Sequence, residues 1–255
     1  MNQFSYKKRN RLKALSAKIT DFSYKKHAHA EYALGVTRKG IQHYHLEGSL
    51  QLSHENGIMF FNPEQIHDGS AHDEQGLDYI MLYLEPSLLL EAMERKEYIQ
   101  FNKPVIYNRI IQQHVLNLSD AVFEEADELV CDDLLFKLAN ALSFNSTKLV
   151  KRDSLIEKMK QDIKQNVKHF YIEALSNKYG MNKFQFIRFF NLHAGITPYQ
   201  YYLNHKVNCA RRFMEQERDP YLAVMEFDFA DLTHLNRQFK RIYGSTATNY
   251  IKQLV

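Results

Sequence analysis

The chain has 255 residues, 45% of them hydrophobic, with only 9 Gly and 5 Pro. That excludes collagen-like, linker-rich and low-complexity classes and leaves enough apolar material for two modest domains. The net charge of +3 is unevenly spread: residues 1–150 carry 16 Lys and Arg against 20 Asp and Glu, residues 151–255 carry 17 against 10, so only the second part suits a polyanionic partner.

Cys131 and Cys209 stand alone in unrelated contexts, which excludes a disulfide framework and paired-cysteine metal spacing. The longest apolar run, Tyr79 to Leu84, is too short to span a bilayer. The first thirty residues are basic and have no apolar signal-peptide centre. A soluble cytoplasmic protein is expected.

Lys7, Lys8, Arg9, Arg11 and Lys13 read as a solvated basic arm. From residue 20 to 107, Gly35, Gly40, Gly48, Asn56-Gly57, Gly69 and Gly76 punctuate short apolar segments such as Ile58–Phe61 and Leu77–Tyr83. Many short strands with close turns predict a sandwich or barrel. From Asn108 to Phe144 there is no Gly or Pro, and apolar residues recur at helical spacing from Ile110 to Leu142. Leu134, Leu135, Leu138 and Leu142 form a stripe expected to pair two copies of the chain, with part of it covering the barrel. The cluster Glu124, Glu125, Asp127, Glu128, Asp132 and Asp133 reads as a solvated helix face. The polar stretch Ser143–Asp153 is the expected domain boundary.

Everything after Ser154 reads as helix, broken at Gly180, Gly195, Pro198, Pro220 and Gly244. It contains a repeat. At an offset of 49, Arg188 falls on Arg237, Phe190 on Phe239, Gly195 on Gly244, Thr197 on Thr246 and Tyr201 on Tyr250. In the first copy Ile172, Leu175 and Tyr179 predict a short helix, Gly180-Met181 a turn, and Asn182 the cap of a second helix. That second helix carries Phe186, Phe189 and Phe190 on one face and Phe184, Ile187, Arg188 and Asn191 on the other. Helix, glycine turn, helix is the arrangement whose second member enters the major groove of DNA. Arg188 suits guanine, and Phe184 and Ile187 suit thymine methyls.

The tracts IEALSNKYGMNKFQFIRFFNLHAGITPYQYY and FADLTHLNRQFKRIYGSTATNY resemble the DNA-binding domain of the AraC/XylS family of bacterial transcriptional regulators. The resemblance implies two helix-turn-helix units, at about 170–192 and 220–242, joined by a long helix from Pro198 to about Glu217. It places base-facing positions at Lys183, Phe184, Ile187, Arg188 and Asn191, then at Leu232, Thr233, Asn236 and Arg237. The second unit departs from the family pattern at Ala223-Val224, at Asp228 in place of the turn glycine, and at Ala247 in place of proline. It is therefore expected to pack more loosely and to read bases less well. Lys206, Arg211 and Arg212 on the joining helix are expected to mix solvation with phosphate contact. Tyr199, Tyr201 and Tyr202 are expected to pack between helices.

The amino-terminal part resembles the cupin barrel that precedes such domains and binds the effector. His27-Ala28-His29, Gly40, and Gly57 followed six residues later by Pro63 and then by His67 carry this resemblance; Glu31 stands too close to His29 to match the cupin glutamate. His27, His29 and His67 are the expected effector-binding residues, with an effector pocket favoured over a metal site. His43 and His45 are read as surface or wall.

The fold expected is α+β in two domains: a barrel with its arm over residues 1–107, a helical dimerisation segment and linker over 108–150, and an all-α DNA-binding domain over 151–255. The function expected is a sequence-specific regulator that senses a small molecule, binds promoter DNA as a homodimer, and contacts RNA polymerase if it activates. No catalytic residues and no cofactor are assigned, since no nucleophile–base constellation or phosphate loop is present. A metal-dependent cupin enzyme of the dioxygenase kind, and a regulator switched by a protein partner, are the competing readings.

Overall fold

A computed structural model describes residues 2–97, 99–143 and 154–254. Most of the expected boundary, residues 144–153, lies outside the described residues; the chain divides into two compact units, one of residues 1–23 with 28–150 and the other of residues 24–27 with 151–253. The amino-terminal residues form β1 (Gln3–Arg9), β2 (Leu12–Ile19), β3 (Ser23–His27), β4 (Tyr32–Lys39), β5 (Gln42–Leu46), β6 (Ser49–Ser53), β7 (Ile58–Phe61), β8 (His67–Ala71), β9 (Leu77–Leu84), α1 (Pro86–Ala92), β10 (Val105–Ile106), α2 (Arg109–Phe123) and α3 (Glu128–Ser143). The strands form a six-stranded sheet in the order β1-β2-β9-β4-β7-β10 and a four-stranded sheet in the order β3-β8-β5-β6.

The inner strands β4, β7 and β9 of the larger sheet are buried on both faces, which is why they read as apolar runs rather than alternations. Leu12, Ala14, Tyr32, Leu34, Val36, Ile58, Phe60, Ile80, Leu82 and Leu84 share one core with Leu89 of α1, with Ile111, Val115, Leu118 and Val122 of α2, and with Leu135, Leu138 and Leu142 of α3. Burying each large side chain stabilises the fold by roughly 1.5–3 kcal/mol. Alternation puts Ala33, Gly35, Met59, Phe61, Met81 and Tyr83 on the opposite face, toward the barrel interior. Gly35 lies between Met59 and Met81 in the ladder. A Cβ there would come within 2.7 Å of one methionine methyl and 2.8 Å of the other. The two flexible methionines thus fill the space a side chain would need.

Two expectations change. The basic start is not an arm: β1 and β2 form a hairpin in full register from Gln3↔Lys18 to Arg9↔Leu12. Its charges are tied down, with Lys7 paired to Glu125, Arg9 Nε donating to the Ala126 carbonyl, and Arg11 to Glu91. Lys13 is buried against Glu31. The leucine stripe is not an interface either. Leu135, Leu138 and Leu142 are in the core and Leu134 packs against it. The apolar side chains that α3 leaves outside are Leu129, Val130 and Phe136. Glu124, Glu125, Asp127, Glu128, Asp132 and Asp133 are exposed.

Residues 154–253 are helical: α4 (Ser154–Lys164), α5 (Ile172–Lys178), α6 (Lys183–Ala194), α7 (Pro198–Glu217), α8 (Pro220–Glu226), α9 (Leu232–Tyr243) and α10 (Ala247–Gln253). No helix among the described residues is long and apolar enough to cross a membrane.

Candidate nucleic-acid interface and effector barrel

Local chemistry sets the first helix-turn-helix. α5 ends at Tyr179, Gly180 turns the chain at φ 65°, and Asn182 caps α6. The Asn182 side chain accepts from the Phe184 and Gln185 amides while Gln185 accepts from the Asn182 amide, a reciprocal capping box. Gly195 closes α6 in the left-handed conformation, and Thr197 with Pro198 opens α7 through a second capping box. Phe186, Phe190 and Ala194 are buried; the Phe186 ring lies 5.9 Å from Tyr179 and the Phe190 ring 5.6 Å from Tyr201.

The other face of α6 is open. Lys183, Arg188 and Asn191 are exposed, Ile187 is half-buried, and Phe184 is 63% exposed. Leu192 is 80% exposed and extends the same stripe one turn beyond Arg188, a position the sequence reading missed. Its i, i+4 relation to Arg188 was the available signal. Lys183 Nζ sits 5.3 Å from the Phe184 ring centroid.

The second unit is built as firmly as the first, against expectation. Asp219 caps α8 by accepting from the Tyr221 amide, with Pro220 in the first helical position. Asp228 takes the left-handed turn at φ 52°, doing the work of Gly180. Asp231 caps α9, and Gly244 ends it left-handed. Ala223, Leu235, Phe239, Ala247 and Tyr250 are fully buried, so Ala223 and Ala247 fit their sites. On the open face of α9, Thr233, Arg237 and Lys240 are exposed, while Leu232 and Asn236 are half-buried. Burial, aided by the positive charge of Arg237, holds the His234 imidazole below its ordinary pKa, so it stays neutral at neutral pH.

Two basic residues of α7 are structural rather than phosphate-facing. Lys206 is buried, donates to the Asp228 carbonyl at 3.0 Å, and lies 4.9 Å from the Phe229 ring centroid. Burial lowers its pKa. Arg211 is buried and pairs with Glu215 at 2.6 Å; the Tyr250 hydroxyl donates to the same carboxylate oxygen at 2.6 Å. Arg212 remains exposed. Tyr201 and Tyr202 are buried between helices and Tyr199 is exposed.

In the barrel, His27, His29 and His67 are all buried, and their ring nitrogens lie within 4.8 Å of one another. His27 ends β3 and His67 opens β8, neighbouring strands of the smaller sheet. His29 packs 5.1 Å from His67 and 5.2 Å from Tyr83; His67 packs 4.2 Å from Phe61. Glu31 bonds Lys13 at 3.3 Å, and Lys13 also lies 4.9 Å from the Tyr83 ring centroid. His43 and His45 stand outside this group: His45 is exposed and pairs with Asp68 at 3.2 Å, and the His43 ring lies 6.1 Å from His72.

A β-barrel with a buried polar cluster and a helical unit with two open recognition faces define a ligand-binding, DNA-binding regulator. The family model of the AraC-like ligand binding domain matches residues 12–139, half of the chain, and that of a helix-turn-helix domain matches residues 175–253. The HTH-type transcriptional regulator YbfI of Bacillus subtilis is 24% identical over 82% of this chain and 80% of its own length. The crystal structure of ToxT from Vibrio cholerae superposes with a TM-score of 0.61 at 12% identity, covering 100% of this chain and 98% of that one. Wild-type ToxT bound to an unsaturated fatty acid superposes with a TM-score of 0.60 at 11% identity, covering 100% of this chain and 95% of that one. The chain belongs to the AraC family of transcriptional regulators, with an effector-binding domain followed by a DNA-binding domain.

Proposed function

We propose that this regulator reads promoter DNA with α6 and α9 and senses its effector in the barrel around His27, His29 and His67. The reading is of a cytoplasmic homodimer without enzymatic activity, which contacts RNA polymerase where it activates. The observation that carries the DNA assignment is the pair of capped helices whose open faces hold Phe184, Arg188, Asn191 and Leu192 in one case and Thr233, Arg237 and Lys240 in the other. Exposed Phe184 and Leu192 make sense against base methyl groups rather than water. Lys183 and Ile187 of α6, and Leu232 and Asn236 of α9, belong to the same proposed interface.

Selection of genomic fragments by the full-length protein, followed by titration at several salt concentrations, tests this. Binding is expected to weaken steeply, with log K falling by about 0.9 per phosphate contact for each tenfold rise in salt. A full-length protein that selects no fragment at low salt would overturn the assignment.

For the effector, Met59, Met81, Phe61 and Tyr83 offer an apolar, adaptable wall and the histidines a polar end. This suits a small amphipathic molecule, and a fatty acid bound to the structurally similar ToxT is consistent with it. A ligand acts as a switch only through a difference in affinity between states of the protein.

For the dimer, Leu129 at 81% exposure and Phe136 at 52% supply the outward apolar surface of α3. Phe136→Glu, combined with Leu129→Glu, is expected to halve the solution mass seen by light scattering while circular dichroism stays unchanged. An unaltered mass would place the interface elsewhere. Leu138→Glu cannot serve this purpose, because Leu138 is fully buried and a carboxylate there attacks folding itself.

A further inference from the structure

We infer that the cleft between the β1–β2 turn, α1 and α3 binds a free α-amino acid with an apolar side chain, at a site separate from the barrel interior. The cleft has a volume of about 310 Å³. That is the low end of the roughly 300–1,000 Å³ of ligand pockets, so its occupant is small. The floor is apolar. Leu12, Cys131 and Leu135 are buried in it, and Leu88 and Ala92 of α1 close one side. Burial raises the pKa of the Cys131 thiol, so the floor stays uncharged at neutral pH.

The second observation is the charge at the rim. Arg9 lines the cleft from β1, and Glu128 and Asp132 line it from α3, one turn apart. Arg9 Nε donates to the Ala126 carbonyl at 3.1 Å, which holds the guanidinium in place without neutralising it. Among the described residues Arg9 has no carboxylate as an ion-pair partner, and Glu128 and Asp132 have no cation. The neighbouring charges are taken: Glu125 pairs with Lys7, and Glu91 pairs with Arg11 at 3.1 Å. One cation and two anions therefore border the same space, each without a counter-charge, above an apolar floor.

These features choose between ligand classes. A simple carboxylic acid satisfies Arg9 but brings its charge against Glu128 and Asp132. A simple amine satisfies the carboxylates but leaves Arg9 facing a second cation. Such like-charge juxtapositions discriminate strongly. An α-amino acid answers both: its carboxylate takes paired N–H bonds from the guanidinium, and its ammonium donates to the two carboxylates. The side chain then enters the floor, where Leu12, Leu88 and Leu135 offer aliphatic surface suited to a leucine-sized group. Phe136, at the edge of the cleft, also belongs to the surface assigned above to the dimer. The variants below leave Leu129 and Phe136 in place, so binding is read whatever the solution mass.

The test is calorimetric titration of the full-length protein with leucine, with isopentylamine (leucine without its carboxylate) and with isocaproate (leucine without its amine). Leucine should bind, and each analogue should bind at least about tenfold more weakly. Arg9→Gln should weaken leucine about tenfold. Glu128→Gln with Asp132→Asn should weaken it about fivefold and strengthen isocaproate, a reversal that a merely structural role would not produce. No uptake of leucine at about 10 mM, equal binding of the analogues, or variants with unchanged affinity would each overturn the site. Should Arg9→Gln fail to fold, methyl NMR of the wild type decides. Leucine-dependent shifts at Leu12, Leu88 and Leu135 support the cleft, and shifts confined to Met59 and Met81 refute it by placing the ligand in the barrel. Binding is measured without DNA, so failure of the regulatory reading would leave this result standing.

Discussion

Glu215→Ala is expected to destabilise the carboxy-terminal unit by about 3–5 kcal/mol. The Arg211 and Glu215 side chains are only 3% and 6% exposed, one turn apart on α7. Removing the carboxylate leaves a guanidinium buried without its counter-charge and takes the acceptor from the Tyr250 hydroxyl. That hydroxyl stays protonated, because burial pushes its pKa well above the phenol range against the pull of Arg211. Arg211 also lies 5.8 Å from the Tyr243 ring centroid, so the pair ties α7 to both α9 and α10. Arg211→Met with Glu215→Leu should recover most of the loss, since an apolar pair carries no uncompensated charge. Denaturant unfolding of the three variants measures the cycle. A cost for Glu215→Ala of below about 1 kcal/mol, the range of exposed pairs, would mean that water reaches the network.

Arg188→Ala is expected to cost roughly 1–3 kcal/mol of specific DNA binding and to relax one base position. Phe184 and Leu192 flank Arg188 at one turn on either side, and both are exposed. Their apolar surfaces bring the guanidinium against bases in a face where methyl contact is available. Arg237 stands instead between Thr233 and the exposed Lys240 and Arg241, a polar and basic face suited to phosphate. Arg237→Ala should therefore cost less, below about 1 kcal/mol, and weaken all sequences alike. The ground for this asymmetry is the chemistry of the two faces. Loose packing of the second unit, the ground the sequence suggested, does not hold, because Asp228, Ala223 and Ala247 all fit. Titration of both variants against the selected site and a scrambled one, at one salt concentration, separates the outcomes. Equal loss of specificity would make α9 a full reader.

The helix-turn-helix units were legible because their signals are local. The cap at Asn182, the glycine breaks at Gly195 and Gly244, and an apolar face repeated at an offset of 49 act within a few residues of themselves. Such signals do not need to know what the rest of the chain does. Strand punctuation likewise announced a sandwich or barrel, and the resemblance chose the barrel and singled out His27, His29 and His67. It was the fold that brought His67, 38 residues beyond His29, into ring contact with it.

By itself, then, the sequence determined that short strands precede helices, that two helix-turn-helix units follow with Phe184 and Arg188 on an open face of the first, and that the second part is basic. Tertiary structure decided what covers each face and which charges are buried. A leucine stripe at helical spacing states that a surface is apolar; only packing showed that Leu135, Leu138 and Leu142 meet the sheet while Leu129 and Phe136 stay outside. A run of lysines and arginines at the start reads as solvated until partners such as Glu125, Glu91 and Glu31 are in reach. Lys206 and Arg211 became structural for the same reason, with Asp228 and Glu215 as their partners. Periodicity is a property of neighbours along the chain, whereas the cost of burying a charge depends on groups that folding alone brings to it.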